Sequence, residues 1–416
     1  MGKGNRKEQK ESRPGYEDLE EWVREKVQAF VQDLLEEEVT ELLGRGRHER
    51  RRMVDGKPGY RNGYGKPRRL SMKTGTIVVS RPRVRDLDGR FESRILPLFC
   101  RRTRQIGDLL PELYLHGLAK GDFELALRGL LGDGAPLSAS SIQRAKAKWE
   151  NEYEAWRRED LHDEQIVYVW ADGIYVKAGI GKDKAALLVV IGARPDGTKK
   201  VLAVEVGYRE SKASWLRVFR SLKRRGLRAP VLLVADGLDG IWSAFGELYP
   251  ESEEQRCWNH KILNVLDQLP RRLHPQAKDL LCKMPYAQTQ RACEELKARF
   301  RAVFGRAYPR AVETLQRDWE RMVTFYRFPK EHWPHLRTTN VIESPFSSVR
   351  LRTNAAKRYR NTTNATVMIW KLLMVAESRF RKLNGHHLLR DVYMGAKYVD
   401  GIRLIDEKDN KERIAA

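Results

Sequence analysis

Two aspartates, Asp172 and Asp236, each follow an apolar run of the sequence, and each precedes a glycine. A carboxylate that projects from the end of a β-strand can reach a cation, and hard oxygen ligands of this kind suit Mg²⁺ or Mn²⁺. Two such ions ~3.5–4 Å apart can activate an attacking water or hydroxyl and stabilise the leaving oxygen of a phosphate ester. A turn or cap is the alternative role for each aspartate, and it is our interpretation of Asp196.

Apolar runs predict the strands and the helix that must position these aspartates. Three strands are followed by a helix and a fourth strand, with predicted bounds of 166–171, 185–191, 201–206, 215–222 and 231–235. The predicted fold class is therefore α/β, with a mixed sheet of β-β-β-α-β order. In the ribonuclease-H-like fold, this order brings the first and fourth strands side by side. Asp172 and Asp236 would then be neighbours, although they are far apart in the chain.

A third carboxylate is expected on a helix that packs against the sheet, and Glu343 is the candidate. Thr338, Thr339 or Asn340 could cap this helix, and Pro345 is tolerated only in its first turn. Five cations follow, and we predict that they bind phosphates beside the metal site, with a solvated helical face as the alternative. They are Arg350, Arg352, Lys357, Arg358 and Arg360.

The segment between Asp236 and Glu343 is far longer than one strand and one helix need. Residues 288–315 have a strongly helical pattern. We therefore predict a helical insertion over 246–335, within a catalytic domain formed by 161–245 and 336–416. Four aromatic residues of this insertion either stack on bases or form core: Trp319, Phe325, Tyr326 and Trp333.

Composition indicates a nucleic acid as the partner. The 416 residues include 79 Lys and Arg against 56 Asp and Glu, a formal net charge of +23, and the hydrophobic fraction of 41% indicates folded cores. The four cysteines form no CxxC pair, which argues against a disulfide scaffold or a zinc ribbon. The sequence shows no signal-peptide pattern and no run of about 18 apolar residues, so we predict a cytoplasmic protein without a membrane segment.

The predicted DNA-binding regions lie before the catalytic domain. After a disordered lead over 1–15, the apolar spacing of 19–43 predicts an amphipathic helix that either packs on its own chain or self-associates. Residues 45–94 contain sixteen Lys or Arg against five acids, which indicates phosphate binding or, alternatively, a solvated basic surface. In this region, delimited as 16–100, the DNA-binding candidates are Arg61, Arg68 and Arg69. Residues 101–160 predict three short helices, typical of a helix-turn-helix domain or of a helical linker.

Five stretches resemble those of Mutator-type bacterial insertion-sequence transposases, which are DDE transposases with a ribonuclease-H-like catalytic domain. They occur in family order and span most of the chain: GYRNGY at 59–64, ADGIYVK at 171–177, ADG at 235–237, QRCWNHKILNVL at 255–266 and RTTNVIES at 337–344. Many relatives continue the last motif with Leu-Asn-Arg, whereas this chain has Ser344-Pro345-Phe346. The resemblance therefore does not identify which residues after Glu343 contact DNA.

The resemblance implies a catalytic and metal-binding triad of Asp172, Asp236 and Glu343, with two Mg²⁺ or Mn²⁺ ions per active site. It implies recognition of the element's terminal inverted repeats and of target DNA, by a homodimer or larger multimer associated with the nucleoid. It also gives a role to Cys257 and His260, which cannot complete a four-ligand zinc site and so either support the active site or pack in the core. The alternatives are a catalytically inactive DNA-binding protein and a structure-selective nuclease of the same fold.

Overall fold

The computed structural model describes residues 15–50, 58–118, 122–132, 135–136, 140–179, 184–207 and 210–404. The predicted lead over 1–15 lies almost entirely outside these residues. The chain divides into two compact units, Met1–Ala145 and Lys146–Ala416. Among the described helices, none is both long enough and apolar enough to span a membrane.

The first unit begins with a long helix, α1, over Leu19–Leu43, which ends at Gly44 in the left-handed conformation. Four short strands follow and pair as two antiparallel ribbons: β1 (Tyr60–Tyr64) with β4 (Pro82–Arg85), and β2 (Arg68–Met72) with β3 (Gly75–Val79). One face of α1 packs on these ribbons through Leu35, which joins a core with Leu70, Ile77, Val79 and Leu96. The predicted helix is confirmed, and the buried part of its apolar stripe packs on its own chain.

Three more helices follow, in the region 101–160 where the sequence predicts three. They are α2 (Arg104–Leu115), α3 (Phe123–Leu131) and α4 (Ser140–Trp156), and α4 runs from the first unit into the second. In the second unit, the Tyr153 hydroxyl of α4 donates a hydrogen bond to the Val204 carbonyl at 2.8 Å. Trp156 and Trp370 complete an aromatic cluster around Tyr153. The last predicted helix therefore contributes to the core of the second unit.

A five-stranded mixed sheet is the centre of the second unit. Its strands are β5 (Tyr168–Lys177), β6 (Lys184–Ala193), β7 (Lys199–Gly207), β8 (Leu232–Ala235) and β9 (Glu253–Arg256), in the spatial order β7-β6-β5-β8-β9. The pairs β5–β6 and β6–β7 are antiparallel, whereas β5–β8 and β8–β9 are parallel. Helix α5 (Lys212–Arg224) precedes β8, and α6 (Asp239–Leu248) precedes β9. The predicted β-β-β-α-β order and the adjacency of its first and fourth strands are confirmed.

Two details of the predicted sheet are wrong. The first strand does not end at Ala171, because β5 stays paired with β6 as far as Lys177 and Lys184. The predictions also missed β9, which lies within the region assigned to the helical insertion. Its sequence, Glu-Glu-Gln-Arg, lacks an apolar alternation, because it is a short edge strand that pairs with β8 on one side only.

Helices cover both faces of this sheet. On one face, Trp215 and Phe219 of α5 and Phe245 of α6 pack against sheet residues such as Val169 and Ala171. The remaining helices and strands of this unit are α7 (Trp258–Leu266), α8 (His274–Lys283), α9 (Gln290–Phe304), α10 (Pro309–Gln316), α11 (Trp319–Val323), α12 (Trp333–Leu336), α13 (Asn340–Ala356), α14 (Thr362–Glu377), α15 (Leu389–Tyr393), β10 (Tyr398–Val399) and β11 (Ile402–Arg403). Of these, α13 packs on β5 and α14 on β7.

The four aromatic residues predicted either to stack on bases or to form core are all buried. Phe325, Tyr326 and Trp333 lie against one another, and Trp319 packs edge-on against Trp258. Base stacking by these rings is therefore excluded in this conformation, because each ring face is already occupied by protein. The core interpretation is confirmed.

A partly buried ion-pair cluster joins the start of the sheet to β7. The Glu164 carboxylate accepts hydrogen bonds from Arg194 at 2.7 and 2.9 Å and from Lys200 at 2.9 Å. The hydrogen bonds from Arg194, opposed by burial and assisted by Lys200, lower the pKa of Glu164 to about 2. Because the folded pKa lies below the ordinary value of 4.5, the stabilisation is fully present above pH 4.5 and is lost as the pH falls toward 2.

We expect Glu164→Gln to lower the free energy of unfolding at pH 7 by about 1–2 kcal/mol, allowing for solvent screening. The difference between variant and wild type should shrink as the pH falls from 4.5 toward 2. Thermal melts followed by circular dichroism across this range would measure it. Glu251→Gln, at an exposed position, is the matched control. A difference that stayed constant over the whole pH range would contradict the assignment to this carboxylate.

Candidate active site

Asp172 and Asp236 occupy equivalent positions on neighbouring strands. The parallel pairing of β5 and β8 ends at Ala171 and Ala235, and each aspartate is the next residue of its chain segment. Beyond this point β5 continues beside β6 without β8 on its other side. The two carboxylates therefore meet where the sheet opens, although β5 runs on past Asp172 instead of ending there.

Short local hydrogen bonds fix both side chains. The backbone N–H of Gly173 donates to Asp172 Oδ1 at 2.8 Å, and the N–H of Leu238 donates to Asp236 Oδ1 at 3.1 Å. Gly237 has a φ of 101°, in the region that favours glycine, and a Cβ there would overlap the Arg256 side chain. The glycine after Asp236 thus allows the tight turn into α6, as the strand-Asp-Gly pattern indicates.

A third carboxylate, Glu210, joins the two aspartates. One oxygen from each of Asp172, Glu210 and Asp236 lies within 4.8 Å of the other two. Glu210 stands between β7 and α5, directly before Ser211, which caps α5 by accepting the N–H of Ser214 at 3.3 Å. The sequence predictions missed Glu210. The available signal was an acidic residue beside the cap of the helix that leads into the Asp236 strand.

Burial and mutual repulsion raise the pKa values of two carboxyl groups in this first group. Burial raises the pKa of Asp172 to about 7, with the Asp236 charge in support and the Gly173 N–H in opposition. Burial and the Asp236 charge also raise the pKa of Glu210. A divalent cation bound between these oxygens would offset the cost of ionising them together. The oxygen-only donor set and its spacing therefore fit a hard cation such as Mg²⁺ or Mn²⁺.

Glu343 belongs to a second group, with Cys257 and His260. One ligand atom of each lies within 4.8 Å of the other two. Glu343 stands in the first turn of α13, and the hydroxyl of Thr339, the residue before this helix, donates to its Oε1 at 2.5 Å. The N–H of Thr339 also donates to Cys257 Sγ at 3.4 Å. Among the described residues, Glu343 therefore belongs to a different group of potential metal ligands from Asp172 and Asp236.

His260 of the second group also interacts electrostatically with the two aspartates of the first group. A hydrogen bond with Cys257 and the negative charges of Asp172 and Asp236 raise the pKa of His260 to about 9, against the lowering effect of burial. Cys257 itself is fully buried, and its sulfur holds the start of the helix that carries Glu343. Both residues of the Cys-x-x-His motif therefore adjoin the carboxylates, and their supporting role stays a prediction.

Comparison with known proteins decides the family. The sequence profile described as "Transposase, Mutator family" matches residues 3–382. The chain belongs to the Mutator family of transposases.

Curated relatives are named as transposases of insertion sequence elements. The chain is 43% identical over 301 residues, 72% of its own length and 93% of the relative's, to the transposase for insertion sequence element IS6120 of Mycolicibacterium smegmatis. It is 39% identical over 280 residues, 67% of its length and 94% of the relative's, to the transposase for insertion sequence element IST2 of Acidithiobacillus ferrooxidans. A solved structure, the Drosophila P element transposase strand transfer complex, matches with a TM-score of 0.30 and 11% identity, over 74% of this chain and 85% of that one. A TM-score this low does not establish a shared fold.

Four of the five cations that follow Glu343 in this Mutator transposase are exposed: Arg350, Lys357, Arg358 and Arg360. Arg358 donates to the Gly179 carbonyl at 2.8 Å, and Tyr359 forms a β-bridge with Ala178. This segment therefore lies along the end of β5, a few residues beyond Asp172. Arg352 is buried, because it continues the inward face of α13 formed by Phe346 and Val349. Phosphate binding by these five cations stays a prediction, and the four exposed ones are better placed for it than Arg352.

The three N-terminal DNA-binding candidates of the transposase differ in exposure. Arg61 forms an ion pair with Glu36 and a hydrogen bond with the Thr40 hydroxyl, both at 2.7 Å, so its guanidinium already holds β1 to α1. Arg68 is half-buried and donates to the Pro97 carbonyl at 3.3 Å, whereas Arg69 is exposed. Phosphate binding at these positions stays a prediction, and Arg69 is the best placed for it.

The turn interpretation of Asp196 is confirmed. Its Oδ1 accepts the backbone N–H of Thr198 at 2.9 Å and the Thr198 hydroxyl at 2.7 Å. These are the local contacts of an Asx turn between β6 and β7. Asp196 is therefore satisfied within its own turn, which distinguishes it from Asp172 and Asp236.

Proposed function

We propose that this Mutator transposase uses Asp172 and Asp236 to hold divalent metal ions that cleave DNA at the ends of its insertion element and join those ends to target DNA. The observation that carries the proposal is the register of β5 and β8. It puts two carboxylates side by side at the point where the sheet opens. The metal would be Mg²⁺ or Mn²⁺, with two ions per active site, an arrangement that can stabilise both the attacking and the leaving oxygen of a phosphodiester.

We also assign the sheet to the ribonuclease-H-like fold. Its support is the strand order β7-β6-β5-β8-β9, with three antiparallel strands first in the chain and two parallel strands added after α5. In such a sheet the first and fourth strands are neighbours, which is the arrangement of the two aspartate-bearing strands here. The helical segments between β9 and α13 would then be an insertion within the catalytic domain.

The divalent ions, when bound, would activate the attacking oxygen and stabilise the leaving oxygen of the phosphodiester. The chain's own residues would hold the metal-binding carboxylates in position. Asp172 and Asp236 are fixed by backbone N–H groups, and His260 supplies a positive charge beside them. Glu343 is proposed as the third carboxylate of the triad on the motif that it shares with the family. Its neighbours Cys257 and Thr339 hold it at the start of α13.

Double-stranded DNA is the proposed partner, both as terminal inverted repeats and as target. The exposed cations Arg350, Lys357, Arg358 and Arg360 would bind phosphates beside the active site, and the basic first unit would contact the element end. Two element ends must be brought together before they are joined. We therefore propose a homodimer or larger multimer on DNA.

The direct test of this function is cleavage of DNA that carries the ends flanking the protein's own gene. With Mg²⁺ we expect strand breaks that map to these ends and release 3′-hydroxyl groups, and with EDTA we expect none. DNA of equal length with scrambled ends is the control. Binding without cleavage would favour the inactive DNA-binding protein, and equal cleavage of the scrambled DNA would favour the structure-selective nuclease.

A further inference from the structure

The Glu210 side chain approaches Asp172 and Asp236 across β5, at a position where that strand has a glycine. Side chains alternate between the two faces of a strand, so Asp172 shares a face with Tyr168 and Trp170, and Gly173 shares one with Ala171. The Ala171 face is covered by α5 and α6, and Glu210 directly precedes α5. Glu210 and Asp172 therefore approach the site from opposite sides of β5.

Gly173 provides the space through which the Glu210 carboxylate passes. A Cβ at position 173 would overlap Oε1 and Cδ of Glu210 and would lie 3.0 Å from its Cγ. Gly173 is not among the glycines with positive φ, so its backbone does not itself require glycine. The missing side chain is instead needed for the close approach of Glu210 to the strand.

The backbone of Glu210 is held from the opposite side by the first turn of α6. A Cβ on Gly240 would lie 2.6 Å from the Lys212 nitrogen and 3.2 Å from the Glu210 carbonyl oxygen. This turn follows Asp236 directly in the chain. The segment that carries Glu210 is thus packed against the segment that carries Asp236, which fixes their separation.

The charge around Glu210 is incompletely balanced by protein. Among the described residues, no ion pair involves Asp172, Glu210 or Asp236. Burial and the Asp236 charge raise the pKa of Glu210, and the neighbouring Tyr175 and His260 oppose this shift. Three carboxylates with oxygens within 4.8 Å of one another form a donor set that a divalent cation fits.

From these contacts we infer that Glu210 is a metal-binding carboxylate of this site, acting with Asp172 and Asp236. The inference rests on the proposed function, because it concerns the same divalent ions. In this account, Gly173 has no side chain that would block the Glu210 carboxylate. Glu210 would act in addition to Glu343, which stays the proposed third carboxylate of the triad.

Mn²⁺ binding by the full-length protein without DNA tests the inference. Free Mn²⁺ is measured by electron paramagnetic resonance during titration of the wild type, Glu210→Gln, Asp172→Asn and the exposed control Glu251→Gln. We expect Glu210→Gln and Asp172→Asn each to weaken Mn²⁺ affinity by about tenfold or more, and the control to leave it unchanged. Without metal, Glu210→Gln should melt no lower than the wild type, because it removes a partly buried carboxyl group that has no ion-pair partner among the described residues.

Gly173→Ala provides a second variant that retains the carboxylate but displaces it. It should also weaken Mn²⁺ affinity, and it keeps the test informative if Glu210→Gln does not fold. If Asp172→Asn weakens Mn²⁺ binding while Glu210→Gln and Gly173→Ala do not, the inference is overturned and the proposed function stands. If none of the three variants weakens binding, the proposed metal site itself fails.

Discussion

Asp172→Asn and Asp236→Asn should each reduce the rate of DNA cleavage by at least about a thousandfold. The amide is nearly isosteric with the carboxylate, and its oxygen can still accept the backbone N–H that now fixes each aspartate. The fold and DNA affinity should therefore be retained. The lost negative charge removes the ligand on which metal binding depends. Single-turnover cleavage of end-containing DNA in Mg²⁺ measures the rate, and a mobility-shift titration of the same DNA measures affinity.

Asp239→Asn is the matched control for this pair of variants. Asp239 lies shortly after Asp236, in the first turn of α6, and it is exposed and outside the carboxylate group. We expect this variant to cleave at a rate within about twofold of the wild type, a difference of less than ~0.5 kcal/mol in the barrier. Cleavage that survived Asp172→Asn, or that fell as far with Asp239→Asn, would contradict the assignment of the metal ligands.

Asp318→Asn should destabilise the second unit by about 3 kcal/mol, because it leaves a buried arginine without its partner. Arg256 and Asp318 form an ion pair at 2.6 Å, and only 8% and 15% of their side chains are exposed. Arg256 ends β9 and lies against Gly237, so this pair also supports the turn that presents Asp236. Asp318 has a φ of 57°, a conformation that asparagine tolerates, so the substitution changes mainly charge. Denaturant titration followed by tryptophan fluorescence measures the loss.

An exposed ion pair on the same strand provides the control for Asp318→Asn. Glu253 pairs with Arg327 at 2.9 Å, and the two side chains are 41% and 54% exposed. Glu253→Gln should change the free energy of unfolding by less than about 0.5 kcal/mol, because exposed pairs are screened by solvent. Equal losses from the two substitutions would show that burial of the Arg256–Asp318 pair is not the source of its stabilisation.

The sequence predicts the centre of the sheet well because its strands are long apolar runs. Burial on both faces makes β5, β6, β7 and β8 apolar, and their order then brings Asp172 and Asp236 together. The edge strand β9 is charged and short, so no periodicity marks it. Patterns of apolar residues thus predict the strands of the core, and they miss a strand that is held by backbone pairing and by polar side-chain contacts.

The candidate site could be predicted only where two residues share a pattern. Glu210 is distant in the sequence from both Asp172 and Asp236, with no repeated motif to connect it to either. Its proximity arises from the way α5 and α6 pack beside β5. Likewise, the burial of Arg352 and the ion pair of Arg61 with Glu36 are tertiary contacts. A cluster of cations in the sequence cannot distinguish such residues from those that face a phosphate.

Iron-dependent cleavage of the polypeptide would locate the metal most directly. Fe²⁺ can occupy a Mg²⁺ site, and with ascorbate it generates radicals that cut the backbone close to the ion. We predict cuts near Asp172, Glu210 and Asp236, suppressed by excess Mg²⁺ and absent from Asp172→Asn, with fragment ends identified by mass spectrometry. Cuts confined to other parts of the chain, or cuts near these residues that persist in Asp172→Asn, would contradict a metal site held by the paired aspartates.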